Sequence, residues 1–356
     1  MTESALELEA MSHRFAHTTI HIIVVMTLMC CGRLDIEDLS ESDVPEHPTH
    51  QADSGADAPC KKDGDCAFCD DGILNGEEIR VDCGGRCAPC SPCDAPFDSP
   101  EPLFGFDLSG SLFGPSLSRD GATLYFSERT DTSENLLMAT RSDHGKRFAE
   151  ATLVTELNTD FYEGSPFLTV DGRTLYFCST RGDGEVRDLW SSTRSSVEGA
   201  FEDPIVLFWV NSDHNDHHPT LPHAQQILMF ASDRPEGRGG DDIWVSAISS
   251  RGDYFDIPTP VAELNTPAVE TSPSLSGDGL TLFFISDRPD GVGGADIWTA
   301  ARSDIEAPFD SPTPVTMLNS AQSEFDVALT PDEQELFFSS DRDGDIRLWR
   351  ARRDCP

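Results

Sequence analysis

The chain has 356 residues, with 64 Asp and Glu against 25 Lys and Arg and a formal net charge of −39. That balance excludes nucleic acid and anionic lipid surfaces as partners, because both demand a cationic footprint. It leaves cations, basic proteins and neutral ligands such as glycans. The 27 Gly and 24 Pro, set between short apolar runs, predict many short strands and turns.

Ile20 to Met29 (IHIIVVMTLM) is nearly continuous in apolar residues. It is too short to span a bilayer and has the length of a signal-peptide core. Glu3, Glu7 and Glu9 are out of place in the head of a signal, which points to Met11 as the start. Leu28-Met29-Cys30-Cys31-Gly32 resembles a lipoprotein signal, with Cys31 as the acylated residue and Leu28 three places before it. Ordinary cleavage, or an uncleaved anchor, is the alternative. Residues 1–31 are therefore expected to export the protein as an outer-membrane lipoprotein, periplasmic or on the cell surface. Its only hold on the membrane is then the N-terminal lipid. Residues 32–59 are acidic, contain Pro and Ser, and predict a disordered tether.

Residues 60–93 hold Cys60, Cys66, Cys69, Cys83, Cys87, Cys90 and Cys93. Two CxxC pairs suit zinc, but behind an export signal a disulfide-rich module is the expectation. The stretch from Asp70 to Cys90 is similar to a short Cys-rich module of bacterial surface proteins, with the pattern DGxxNGxExxVDCGGxCxxC. Its Asp, Asn and Glu oxygens suit either Ca²⁺ or plain turns.

Residues 94–356 repeat themselves five times. Pro115, Pro166, Pro219, Pro273 and Val327 recur roughly every 53 residues. Each marks a first strand, followed by a turn and a second strand such as Leu282-Phe283-Phe284. A Ser-x-Arg step follows in most repeats, ending at Arg181, Arg234, Arg288 and Arg342. A third strand carries Trp190, Trp244, Trp298 or Trp349, and a Pro-Val-x-Leu-Asn strand ends the unit. Four short strands per repeat with aromatics at fixed places predict an all-β fold, a five-bladed β-propeller. The arginines and tryptophans are expected to be structural, packing blade against blade.

The last repeat stops after its third strand. Ala95-Pro96-Phe97-Asp98-Ser99-Pro100 nearly duplicates Ala307-Pro308-Phe309-Asp310-Ser311-Pro312, so an N-terminal strand is expected to close the ring. Aligning the repeats makes Cys93 and Cys355 neighbours, and a disulfide between them would lock it.

The segments Ser286-Asp287-Arg288-Pro289-Asp290-Gly291-Val292-Gly293-Gly294-Ala295-Asp296-Ile297-Trp298 and Ser232 to Trp244 carry a further signal. They resemble the PD40 repeat, the WD40-like unit of TolB-type propellers. The resemblance implies protein binding in the cell envelope and supplies no catalytic residues.

Four acids precede the first strands: Glu163, Asp216, Glu270 and Glu324. They are expected to ring the channel mouth, holding a cation or basic group, or else to pair with the Ser-x-Arg arginines. Asp213, His214, His217 and His218 add a candidate metal site, with solvated loop histidines as the alternative. No cofactor is otherwise expected, Ca²⁺ and Zn²⁺ being the only candidates. The four acids are repeat-equivalent, whereas catalysis needs a distinct acid and base. The sequence reading is therefore a non-enzymatic, monomeric envelope module binding an unidentified protein or glycan. The alternative is a glycan-binding protein or a glycoside hydrolase on the same propeller.

Overall fold

The structure is a computed structural model. It describes residues 95–354, apart from 107, 143–146, 183, 222–226 and 250–254. The lipidation site Cys31, the Cys-rich module, and the Cys93 and Cys355 pair lie outside the described residues. Among the described residues no helix is long and apolar enough to cross a membrane.

Five four-stranded antiparallel sheets form the five blades. A first short strand, β1 (Glu101–Pro102), belongs to the last blade. Blade 1 is β2 (Ser111–Leu117), β3 (Thr123–Arg129), β4 (Glu134–Thr140) and β5 (Thr152–Leu153). Blade 2 is β6 (Glu163–Leu168), β7 (Thr174–Ser179), β8 (Asp188–Thr193) and β9 (Ile205–Val206). Blade 3 is β10 (Asp216–Thr220), β11 (Ile227–Ser232), β12 (Asp242–Ala247) and β13 (Thr259–Pro260). Blade 4 is β14 (Glu270–Leu275), β15 (Thr281–Ser286), β16 (Asp296–Ala301) and β17 (Thr313–Pro314). Blade 5 is β18 (Glu324–Leu329), β19 (Glu335–Ser340) and β20 (Arg347–Arg352), completed by β1.

The ring closes as the duplicated segment foretells: Glu101 pairs with Arg350 and Pro102 with Trp349. Arg350 also binds the Glu101 carboxylate. Glu335, from the same blade, takes Arg141 of blade 1. These ties hold both sides of the closing blade.

The second strands are apolar on both faces because each lies between two neighbouring blades. Phe126, Phe177, Phe230, Phe284 and Phe338 are fully buried there. The core is accordingly a set of inter-blade clusters, one joining Leu124, Phe126 and Leu137 of blade 1 to Phe337 and Leu348 of blade 5. The PD40-like turns make the same contact in backbone: a side chain at Gly239 or Gly293 would strike a carbonyl of the next blade. Asn158, Asn211, Asn265 and Asn319 each bracket one residue of the third strand, donating to its carbonyl and accepting from its amide.

Candidate functional site

Every first strand is irregular in register: in blade 5 the break falls between Glu324 and Asp326, and in blades 1 to 4 it includes the residue two after Leu112, Glu163, Asp216 or Glu270. At that position Gly114, Ser165, His218 and Ser272 have φ of 59°, 49°, 51° and 49°. Left-handed backbone at non-glycine residues stores about 1–3 kcal/mol each and clusters where a side chain is re-aimed for function. The fifth residue of this series is Asp326.

The four repeat acids are fully buried. Each pairs with the arginine of its own blade: Glu163 with Arg181 at 3.3 Å, Asp216 with Arg234 at 2.5 Å, Glu270 with Arg288 at 3.1 Å and Glu324 with Arg342 at 2.9 Å. Each also accepts a hydroxyl four residues upstream, from Thr159, Ser212, Thr266 or Ser320. The arginine lies over a phenylalanine and a tryptophan ring in all four blades, for example Arg342 at 4.8 Å from Phe338 and 4.9 Å from Trp349. This arrangement ties strands together and leaves no carboxylate facing a ligand.

Of the candidate metal residues, Asp213 and His214 are exposed, while His217 is buried on β10 and His218 is mostly enclosed. Among the described residues no group of three or more His, Cys, Asp or Glu is arranged to hold a metal ion.

What the fold brings together instead is a cavity of about 190 Å³ at one end of the channel. Phe113, Arg129, Glu134, Arg187, His217, His218, Phe325 and Asp326 are in its wall. Glu134 receives Arg129 Nε at 2.8 Å and Ser127 Oγ at 2.9 Å, with Arg187 looser at 3.7 Å. Gly164 makes room for this carboxylate; any side chain there would strike it. Phe113 and Phe325 meet edge to face at 5.9 Å, and the Arg129 guanidinium lies 4.5 Å over the Phe113 ring.

A chain of contacts crosses the channel from blade 3 to blade 5. Asp241 Oδ1 meets His217 Nε2 at 3.1 Å, and the two Nδ1 atoms of His217 and His218 lie 2.5 Å apart. His218 Nε2 reaches Asp326 Oδ1 at 2.7 Å, and Ser339 donates to Asp326 Oδ2. His218 and Asp326 also face a second, largely apolar cavity of about 90 Å³ further along the axis. The pair thus forms a floor between the two spaces.

Burial pushes the His218 pKa below its ordinary 6.5, against the pull of Asp326. Burial alone would raise Asp326, but the His218 hydrogen bond and charge, Ser339 and the Gly114 amide outweigh it. Asp241 is lowered in the same way, burial being outweighed by the bond and charge of His217, then by His218 and Arg187. Burial also pushes the free Cys178 thiol, beside the cavity, up to about 11, so it is a poor nucleophile.

An imidazole kept neutral in the fold stabilises it above pH 6.5, and that contribution is lost as pH falls from 6.5 toward the folded pKa. The lowered carboxyls contribute above pH 3.8 and lose it as pH falls through their folded values. Glu324, raised above 4.5 by burial, acts in the opposite sense. Melting temperature is therefore expected to drop between pH 7 and 5 and to drop less in His218→Gln. Equal slopes in the two proteins would contradict this.

The sequence reading missed Glu134, Arg187, Asp241 and Asp326. Glu134, Arg187 and Asp241 share one repeat position, three before the third-strand tryptophan, where blades 4 and 5 have Ala295 and Ile346. Disagreement between repeats at one position is the signal in the sequence that marks these residues.

No family model and no curated protein matches the sequence. Solved structures do match in fold. The α-L-arabinofuranosidase of Podospora anserina aligns with a TM-score of 0.52 at 14% identity, over 74% of this chain and 98% of that one. The GH62 α-L-arabinofuranosidase catalytic domain of Coprinopsis cinerea gives 0.51 at 12%, over 73% and 97%. A putative TolB from Agrobacterium tumefaciens gives 0.42 at 16%, over 65% and 70%, too distant to carry an argument. These likenesses are of fold alone. They correct the expectation of a module without enzymatic activity, since the architecture is one on which glycoside hydrolases are built. That expectation rested on the repeat-equivalent acids, which are structural, and overlooked the non-equivalent ones.

Proposed function

We propose that the propeller is a carbohydrate-active protein that hydrolyses glycosidic bonds in a neutral glycan at the Glu134 and Asp326 cavity. The observation that carries this is the break in repeat symmetry: two carboxylates from different blades line one cavity, Glu134 where blades 2, 4 and 5 have Arg187, Ala295 and Ile346, and Asp326 where the other blades have Gly114, Ser165, His218 and Ser272. Glycoside hydrolysis uses such a pair, one carboxylate activating water or attacking the sugar, the other protonating the leaving oxygen. Asp326, whose pKa is held low, suits the first role. Glu134, paired with Arg129 and Arg187, is the second carboxyl of the pair. Arg187, loosely placed, can turn to a sugar hydroxyl, and Phe113 and Phe325 offer apolar faces to the ring.

The lining cations Arg129 and Arg187 balance the lining carboxylates Glu134 and Asp326, which favours a neutral ligand over a charged one. The fold shared with two α-L-arabinofuranosidases supports the same reading. A signal-like run from Ile20 to Met29 supports the same reading, since polymeric glycans are met outside the cytoplasm.

A panel of aryl α-L-arabinofuranosides and β-xylosides, together with arabinoxylan and arabinan, tests the proposal. Release of sugar from at least one substrate, lost in Glu134→Gln, is expected. No release from any of them would overturn it.

A further inference from the structure

The outer edge of blade 2 is unlike the edges of blades 1, 3 and 4. Where those blades have Thr152, Thr259 and Thr313, blade 2 has Ile205. Where they have Thr155, Ala262 and Thr316 it has Phe208, and where they have Glu156, Glu263 and Met317 it has Trp209. Ile257, in the neighbouring hairpin loop of blade 3, stands where the corresponding loops carry Asp203 and Ser311. All four are open to solvent: Ile205 at 69%, Phe208 at 73%, Trp209 at 65% and Ile257 at 82%. Single exposed apolar residues are ordinary, but a contiguous group marks a contact surface.

The exchange at Trp209 also removes a structural tie. Glu156 and Glu263 accept the amides of Phe201 and Phe309 from the next blade, at 3.4 and 3.3 Å. Trp209 occupies the corresponding place beside Phe255 and cannot accept that bond. Two adjoining depressions of about 340 Å³ each share Trp209 and Phe255 as walls. Asp256 and Ile257 border one; Tyr176 and Ser191 border the other. This groove lies along the outermost strand of its sheet, whereas the channel cavity lies against the innermost ones.

We propose that this groove is a second carbohydrate site, which holds a neutral glycan chain against the faces of Trp209 and its aromatic neighbours. The choice of glycan rests on the carbohydrate reading of the channel. Among the described residues neither depression has Lys or Arg in its wall, and Asp256 borders one of them, which disfavours uronate, sulfate and phosphate groups. Ser191 and Asp256 supply hydrogen-bonding groups for hydroxyls around an apolar floor, the usual make-up of a small-ligand site.

Affinity electrophoresis and calorimetry of the full chain with arabinoxylan, arabinan and mixed-linkage β-glucan, and with polygalacturonate as acidic control, test this. A neutral polymer is expected to bind and to shift the emission of Trp209; Trp190 is half-buried and Trp244, Trp298 and Trp349 are buried. Trp209→Ala is expected to weaken that binding about tenfold to a hundredfold, with Trp209→Phe restoring part of it. Truncating so exposed a side chain leaves the core intact, and an unchanged melting temperature verifies this. Equal binding by wild type and Trp209→Ala would overturn the inference. So would binding of polygalacturonate alone, or loss only of self-association on sedimentation. If Trp209-dependent binding is found without hydrolysis of any substrate, the catalytic reading falls and this one stands. Hydrolysis with binding indifferent to Trp209 gives the reverse.

Discussion

Replacing Arg234 by methionine is expected to destabilise the propeller by about 3–5 kcal/mol, the usual cost of stripping one partner from a buried ion pair. Asp216 is fully buried, and Arg234 Nη2 reaches it at 2.5 Å while also donating to the Val210 carbonyl at 2.9 Å. The guanidinium sits 5.1 Å from the Phe230 ring and 4.8 Å from the Trp244 ring, so methionine fills much of its volume while removing its charge. What remains, among the described residues, is a buried carboxylate without its arginine, held by the amide and hydroxyl of Ser212. A fall in melting temperature of about 10 °C is the calorimetric reading of that loss. The double variant Asp216→Asn with Arg234→Met should regain part of it, because the stranded charge is gone. A loss below about 1 kcal/mol for the single variant would mean that the repeated pair adds no more than a surface ion pair.

The same four ion pairs show what could be read from the letters and what could not. A repeat advertises whatever every blade needs. Phe284 and its equivalents, the Ser-x-Arg step and the third-strand tryptophans recur because each blade solves the same packing problem, so blade number and ring closure were legible. Glu163, Asp216, Glu270 and Glu324 recur for that reason too, and their recurrence drew attention to them as a site. Only coordinates separate a carboxylate facing the channel from one turned back onto its own arginine, since both lie one strand from the axis. The residues that do face the cavity come from two repeat positions whose occupants change from blade to blade: Glu134 and Arg187 at or just before a third strand, His218 and Asp326 at or beside a first-strand bulge. A bulge shifts one residue into view without leaving a periodic trace. Asp326 meets His218 across 108 positions of sequence, a pairing that only the closed ring creates.

Asp326→Asn is expected to lower kcat/KM on the substrate identified for the wild type by about 10²–10⁴-fold, the range for removing a general base or its equivalent. Asn keeps the shape and one acceptor oxygen, so the His218 contact survives and a near-native melt is the control for folding. A structural role and a chemical one part company in the pH profile. His218 is the main group holding the Asp326 pKa below 3.8, so in the wild type the acidic limb of kcat/KM should fall below that value. Removing His218, as in His218→Gln, takes away both the hydrogen bond and the positive influence and lets burial push the carboxyl upward. The acidic limb should then move to higher pH while the rate on the plateau above it changes much less than in Asp326→Asn. An acidic limb unmoved by His218→Gln would mean that Asp326 is not the group whose ionisation the reaction needs. The search for the base would then pass to Glu134, which lines the same cavity and depends on Arg129 and Arg187 instead.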